Sequence, residues 1–271
     1  MMASTSPRTF RPSAEPFGLS LSKPTPSWSP DEKRSGLRQA QVEREGYDAQ
    51  RDALETYFDR TAQKAWIDLT SDAPVGRIRA TVRAGRDRMR ATLLDWLPAD
   101  LRRMRILDAG CGTGALAIEA ARRGADVVAI DVAGGLVDIA RRRAPDFLGH
   151  GSIDWRVGDM LDPALGRFDH VVAMDSLIHY PAADIVALLA LLGARTGGSM
   201  LFTYAPSSPA LMAMHRVGRF FPRGSKAPAI QPVTERLLLD RIGRMGGWAA
   251  ARTRTVSSGF YTSRALELVR S

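Results

Sequence analysis

The residues best placed to do chemistry lie in Leu107-Asp108-Ala109-Gly110-Cys111-Gly112-Thr113-Gly114. An apolar strand precedes the three glycines and an alanine-rich helix follows them. That setting lets backbone turn tightly and approach a ligand without Cβ obstruction. The string alone is ambiguous, because with Ala115 it also reads as the GxGxxA of a dinucleotide site. Asp108, inside the strand end, separates the two readings. A carboxylate there meets an ammonium or sulfonium favourably and would repel a pyrophosphate. Asp131 ends the next strand, Val127-Val128-Ala129-Ile130-Asp131, where it can accept both hydroxyls of a ribose, a feature shared with NAD enzymes. Asp108 therefore favours S-adenosylmethionine over a dinucleotide.

The third strand ends in Val157-Gly158-Asp159-Met160. Asp159 can accept from an adenine amino group and Met160 can pack on the ring, since ligands of open α/β sheets bind at the carboxyl ends of the strands. The competing reading is an aspartate that caps a turn. Cys111 reads as a small loop residue, since methyl transfer requires no protein nucleophile. The histidines at 150, 170, 179 and 215 fall in different elements and Cys111 stands alone, so no metal centre is expected.

These residues need elements to hold them. Strands are expected at 105–109, 126–130, 153–157, 170–174 and 200–204, with helices at about 114–123, 134–143, 182–194 and 234–245. Alternating segments at 252–257 and 263–269 follow. Alternating strands and helices indicate a parallel sheet covered on both faces. Five such units plus a terminal antiparallel pair match the class I methyltransferase layout: an α/β fold with a seven-stranded, mostly parallel sheet. Before it, Leu54, Tyr57, Phe58 and Ala62 recur at helical spacing, with Trp66 and Leu69 continuing the stripe. A second basic helix runs from after Pro74 to about Leu97, with Ile78, Val82, Met89, Leu93 and Leu97 on one side. Residues 47–98 thus form a helical arm before a domain at 99–271. Residues 1–46 carry Pro7, Pro12, Pro16, Pro24, Pro26 and Pro30 and show no regular period, so disorder is expected there; a start codon assigned too early would also account for them.

With 271 residues, 45% of them hydrophobic, the chain can bury a substantial core. No apolar run of membrane-spanning length occurs, and the N-terminus lacks the apolar core of a secretory signal, so a cytoplasmic setting is expected. The net charge of +9 admits nucleic acid, anionic lipid or an anionic substrate as partner. The arginines are spread over several helices rather than gathered in one tract, and nucleic-acid binding would leave the cofactor carboxylates without a task.

The stretch from about 100 to 271 resembles the class I methyltransferases. A fuller pattern, over roughly 50–271, resembles one family among them, the magnesium-protoporphyrin IX O-methyltransferases of chlorophyll and bacteriochlorophyll synthesis. The residues carrying it are Tyr57-Phe58-Asp59-Arg60-Thr61-Ala62 with Trp66, Gly85-Arg86-Asp87 with Met89-Arg90, and Ala173-Met174-Asp175-Ser176-Leu177-Ile178-His179-Tyr180-Pro181. Ala205-Pro206, Phe220-Phe221-Pro222-Arg223-Gly224 and Pro228 complete it.

The resemblance implies methylation of one propionate of magnesium-protoporphyrin, with the magnesium carried by the substrate. It implies a catalytic role for His179, and for Tyr57 on a mobile arm that closes over both reactants. Asp175 joins Asp108, Gly110, Cys111, Gly112, Gly114, Asp131, Asp159 and Met160 as cofactor-binding positions. It also implies substrate handover from the large porphyrin-binding subunit of magnesium chelatase. The segment at about 206–232 is apolar, rich in methionine and dotted with arginine. This composition suits a flat porphyrin with anionic propionates, a membrane surface, or plain core packing. A class I methyltransferase acting on a quinone precursor or another carboxylic acid is the alternative.

Overall fold

The computed structural model describes residues 46–61, 70, 76–207 and 229–271. Most of the expected tail, the stripe residues Ala62, Trp66 and Leu69, and positions 208–228 of the expected insertion lie outside them.

Seven strands form one sheet in the order β3-β2-β1-β4-β5-β7-β6. They are β1 (Arg105–Ala109), β2 (Asp126–Asp131), β3 (Ser152–Val157), β4 (Phe168–Ala173), β5 (Thr196–Tyr204), β6 (Trp248–Ser258) and β7 (Tyr261–Arg270). The first five pair in parallel, and β7 runs antiparallel between β5 and β6. The helices are α1 (46–56), α2 (Arg77–Trp96), α3 (Ala115–Arg122), α4 (Gly134–Arg143), α5 (Ala182–Gly193) and α6 (Glu235–Gly243).

The sheet has a core on each face, as its period of two requires. Leu107 and Ala109 of β1 belong to one, with α5, α6 and Leu54 of α1. Ile106 belongs to the other, with α2 and α3. The order reverses between β1 and β4, opening a crevice at the carboxyl ends of the strands where open sheets take their ligands.

Several boundaries differ from expectation. At Tyr57 and Phe58 the stripe is not α-helix but a π-helical turn, Tyr57–Thr61. The terminal strands are longer than their alternating segments because they pair with each other over almost their whole length. Ile78 is exposed, as is the rest of the first turn of α2, whereas Met89, Leu93 and Leu97 are buried as expected.

Candidate active site

The crevice holds a cavity of about 290 Å³. Its floor is the turn after β1. Gly110, Gly112 and Gly114 all have positive φ. Gly110 (φ 82°) needs more than conformational freedom, because a Cβ there would fall 2.4 Å from Ser176 Cβ. A Cβ on Gly114 would fall 2.4 Å from the Trp155 ring. Gly110 and Cys111 both donate backbone N–H to Ile130 O, at 2.8 and 3.0 Å, tying the loop to β2.

Asp108 is buried and lines this cavity, and its Oδ2 has no hydrogen-bond partner among the described residues. Burial, seconded by the negative charge of Asp131, raises its pKa to about 7. Asp131 is held by two backbone donors, Gly112 N to Oδ2 at 2.8 Å and Ala133 N to Oδ1 at 2.9 Å. Each oxygen keeps a further lone pair for a ligand hydroxyl. Burial raises this carboxyl too. Cys111 is buried and its thiol is pushed well up, which keeps it protonated and poorly nucleophilic. Met160 is buried in the cavity wall.

Asp159 does not line the cavity; its carboxylate is engaged by α1. Tyr47 Oη donates to Oδ1 at 2.6 Å and Arg51 Nη1 to Oδ2 at 3.3 Å, while Leu161 N also reaches Oδ1 at 2.8 Å. Burial and this carboxylate raise the pKa of the Tyr47 phenol, and its ring stacks on Tyr180 at 5.7 Å. The π-turn is fixed further on, where Asp59 Oδ1 accepts from Gly135 N at the start of α4. Tyr47, Arg51, Leu54 and Phe58 all line the cavity. Their i, i+4, i+7, i+11 spacing puts them on one helix face. Tyr57 is half-buried beside that face, its ring edge-on to Phe58 at 5.1 Å.

The opposite wall comes from α2, where Arg83, Arg86, Asp87 and Arg90 share one face toward the cavity. The other face buries Gly85, Met89 and Leu93. Arg86 Nη1 donates to Asp175 Oδ2 at 2.7 Å. Asp175 lines the cavity yet directs its oxygens to protein donors, accepting also from Tyr261 Oη at 3.1 Å and Thr203 Oγ1 at 3.2 Å. His179 closes the short 3-10 turn Leu177–His179 after β4. It is buried, its Nδ1 has no partner among the described residues, and the Phe58 ring lies edge-on to it at 6.2 Å. Burial lowers its pKa, so the imidazole is neutral at pH 7.

The crevice thus brings together Asp108, the glycine loop, Asp131, Met160, Asp175 and His179, while Tyr57 and Asp159 stand just outside its lining. Sequence reasoning missed Tyr47, Arg51 and Ser176. The helical spacing back from Leu54 carried a signal for the first two. Among the described residues no group of three His, Cys, Asp or Glu side chains could hold a metal ion, and no helix is long and apolar enough to cross a membrane.

A sheet of this order, with a buried aspartate beneath a glycine turn that leaves Oδ2 without a partner among the described residues, and a second aspartate ending β2, defines a class I S-adenosylmethionine-dependent methyltransferase. Comparison with known proteins agrees and narrows the class. Residues 106–194 match the model of the methyltransferase domain, and residues 173–270 match that of the magnesium-protoporphyrin IX methyltransferase C-terminus. The magnesium-protoporphyrin O-methyltransferase of Rhodobacter capsulatus is 50% identical over 218 residues, 80% of this chain and 95% of that protein. The protein of the same name from Synechocystis is 31% identical, over 79% of this chain and 94% of its own length. The crystal structure of the Synechocystis magnesium protoporphyrin IX methyltransferase with bound SAH superposes with a TM-score of 0.72 at 29% identity, covering 81% of this chain and 99% of that one. The chain belongs to the magnesium-protoporphyrin O-methyltransferase family.

Proposed function

We propose that the chain transfers a methyl group from S-adenosylmethionine to one propionate carboxylate of magnesium-protoporphyrin IX, giving the monomethyl ester. The observation that carries this is the chemistry of the cavity walls. An acidic floor at Asp108 and Asp131 suits a cationic cofactor with a ribose. The arginine face of α2 suits an anionic acceptor.

The bound cofactor supplies a methyl group on a sulfonium, already activated for transfer. The acceptor carboxylate is ionised at neutral pH, so no residue is needed as its base. What remains for the protein is orientation and the exclusion of water. Asp108 pairs with the cofactor's positive charge, Asp131 holds its ribose hydroxyls, Met160 packs on its adenine, and the loop at Gly110, Cys111, Gly112 and Gly114 admits its backbone-close approach; Asp159, held by Tyr47 and Arg51 outside the cavity, serves the adenine side by anchoring α1 there. His179, its Nδ1 without a partner among the described residues, flanks the acceptor in the cavity wall. Phe58 and Leu54 on the arm shield the cavity, and Tyr57 comes to it from the same arm. Asp175, with its oxygens on protein donors, serves the cofactor by fixing the turn beside it.

The division into an arm at 47–98 and a catalytic body at 99–271, with a substrate-side insertion at about 206–232, belongs to this reading. So do a cytoplasmic setting with peripheral membrane contact and substrate handover from the large porphyrin-binding subunit of magnesium chelatase. Vesicle sedimentation and co-purification with that subunit test the last two. The reaction itself is tested by incubating the protein with methyl-labelled S-adenosylmethionine and magnesium-protoporphyrin. The label should move to a product that chromatographs as the monomethyl ester.

A further inference from the structure

β4 ends at Ala173, and two residues later Asp175 takes the left-handed conformation, with φ 55°. Aspartate tolerates this better than most residues but still needs support. That support is dense: Asp175 N donates to Thr203 Oγ1 at 2.7 Å, and the carboxylate accepts from Arg86, Tyr261 and Thr203. The turn therefore presents the next residue, Ser176, in a fixed direction.

Ser176 sits against the first glycine of the loop, where a Cβ on Gly110 would collide with its own. It lines the cavity, and its Oγ is buried with no hydrogen-bond partner among the described residues. A buried hydroxyl without a partner destabilises a fold, and such atoms are few in native proteins. Asp108 Oδ2, on the neighbouring strand, is in the same condition and faces the same space. An acid and a hydroxyl left open side by side match a ligand bearing both a cation and a carboxylate.

We propose that Ser176 is a reactant-contacting residue whose hydroxyl donates a hydrogen bond to a carboxylate in the cavity. The inference rests on the methyltransferase reading above. Two carboxylates fit the chemistry: the one on the amino-acid end of the cofactor, and the propionate that is methylated.

Ser176→Ala tests the idea, because it deletes a hydroxyl that has no hydrogen-bond partner among the described residues. The ligand-free melting temperature should hold or rise. A hydrogen bond to a charged acceptor should cost about tenfold or more when lost. If calorimetry with S-adenosylhomocysteine shows that loss, the partner is the cofactor carboxylate. If the loss is confined to kcat/KM for magnesium-protoporphyrin, the partner is the propionate. Affinity and kcat/KM both matching wild type would overturn the inference. So would a melting temperature several degrees lower, which would reveal a structural partner for the hydroxyl. A wild-type protein that binds S-adenosylhomocysteine but leaves the porphyrin unmethylated strikes the substrate reading instead; a variant equal to an active wild type strikes only this one.

Discussion

Arg86 Nη1 and Asp175 Oδ2 stand 2.7 Å apart, joining the arginine face of α2 to the turn after β4. Tyr261, at the start of β7, completes the junction: its hydroxyl reaches the same carboxylate while its ring packs over Gly85. A Cβ on Gly85 would fall 2.5 Å from the Tyr261 ring. The glycine, arginine and aspartate of two separate sequence segments are thus explained by one contact.

Asp175→Ala should lower stability by about 3 kcal/mol in urea unfolding, since it removes one partner of a largely buried ion pair together with the acceptor that Tyr261 and Thr203 also use. It also puts a β-carbon residue with no local hydrogen bond into the left-handed region. Asp175→Asn, which tolerates that backbone and keeps hydrogen-bonding capacity, should recover much of the loss. Equal losses in the two variants would contradict the positioning role.

Asp108 should make cofactor binding depend on pH. Its folded pKa, raised to about 7, lies above the ordinary 3.8, so the ligand-free fold holds a proton that the unfolded chain releases. From this group, stability declines as pH rises from the ordinary value through about 7. A cationic ligand requires the ionised form, so affinity should rise across the same window and binding should release a proton. Calorimetry in buffers of different ionisation enthalpy measures that release. Asp108→Asn should bind weakly, with no such dependence. S-adenosylmethionine and its demethylated product, compared, isolate the share due to the sulfonium.

Tyr47→Phe removes the 2.6 Å hydrogen bond to Asp159 and keeps the ring on Tyr180. The arm should then dock less firmly, by about 1–2 kcal/mol. Limited proteolysis near α1 should speed up, and S-adenosylhomocysteine should slow it less than in wild type.

His179→Ala should fold normally and lose most of its turnover, with cofactor affinity little changed. Because burial lowers the His179 pKa, the ring stays neutral below its ordinary value, and turnover at saturating cofactor should be flat above pH 6.5. Tyr57→Phe should slow turnover more than it weakens cofactor binding. A Tyr57→Phe enzyme with unchanged turnover would remove the hydroxyl from the reaction.

Much of the frame was legible from local pattern. β1 at 105–109 and α4 at 134–143 fall where the apolar runs and glycine breaks put them. Asp108 was readable because its place relative to the glycines is a short-range fact. Tyr47 and Arg51 were not found, because an arginine interrupts the apolar stripe back from Leu54 although the helical spacing persists through it. Asp175 shows the opposite difficulty. Its carboxylate is plain in the sequence, but its donors come from α2, β5 and β7, which only the folded sheet brings together. Ser176 offers no pattern at all: a serine in a turn becomes informative only when its hydroxyl is seen to lack a partner.

The central claim is tested most directly by offering the purified protein, with methyl-labelled S-adenosylmethionine, either magnesium-protoporphyrin or metal-free protoporphyrin, and resolving the products by chromatography. The account predicts one labelled methyl group on magnesium-protoporphyrin, as the monomethyl ester, and little or none on the metal-free ring. Failure to label magnesium-protoporphyrin, in a protein that binds the cofactor, would contradict it.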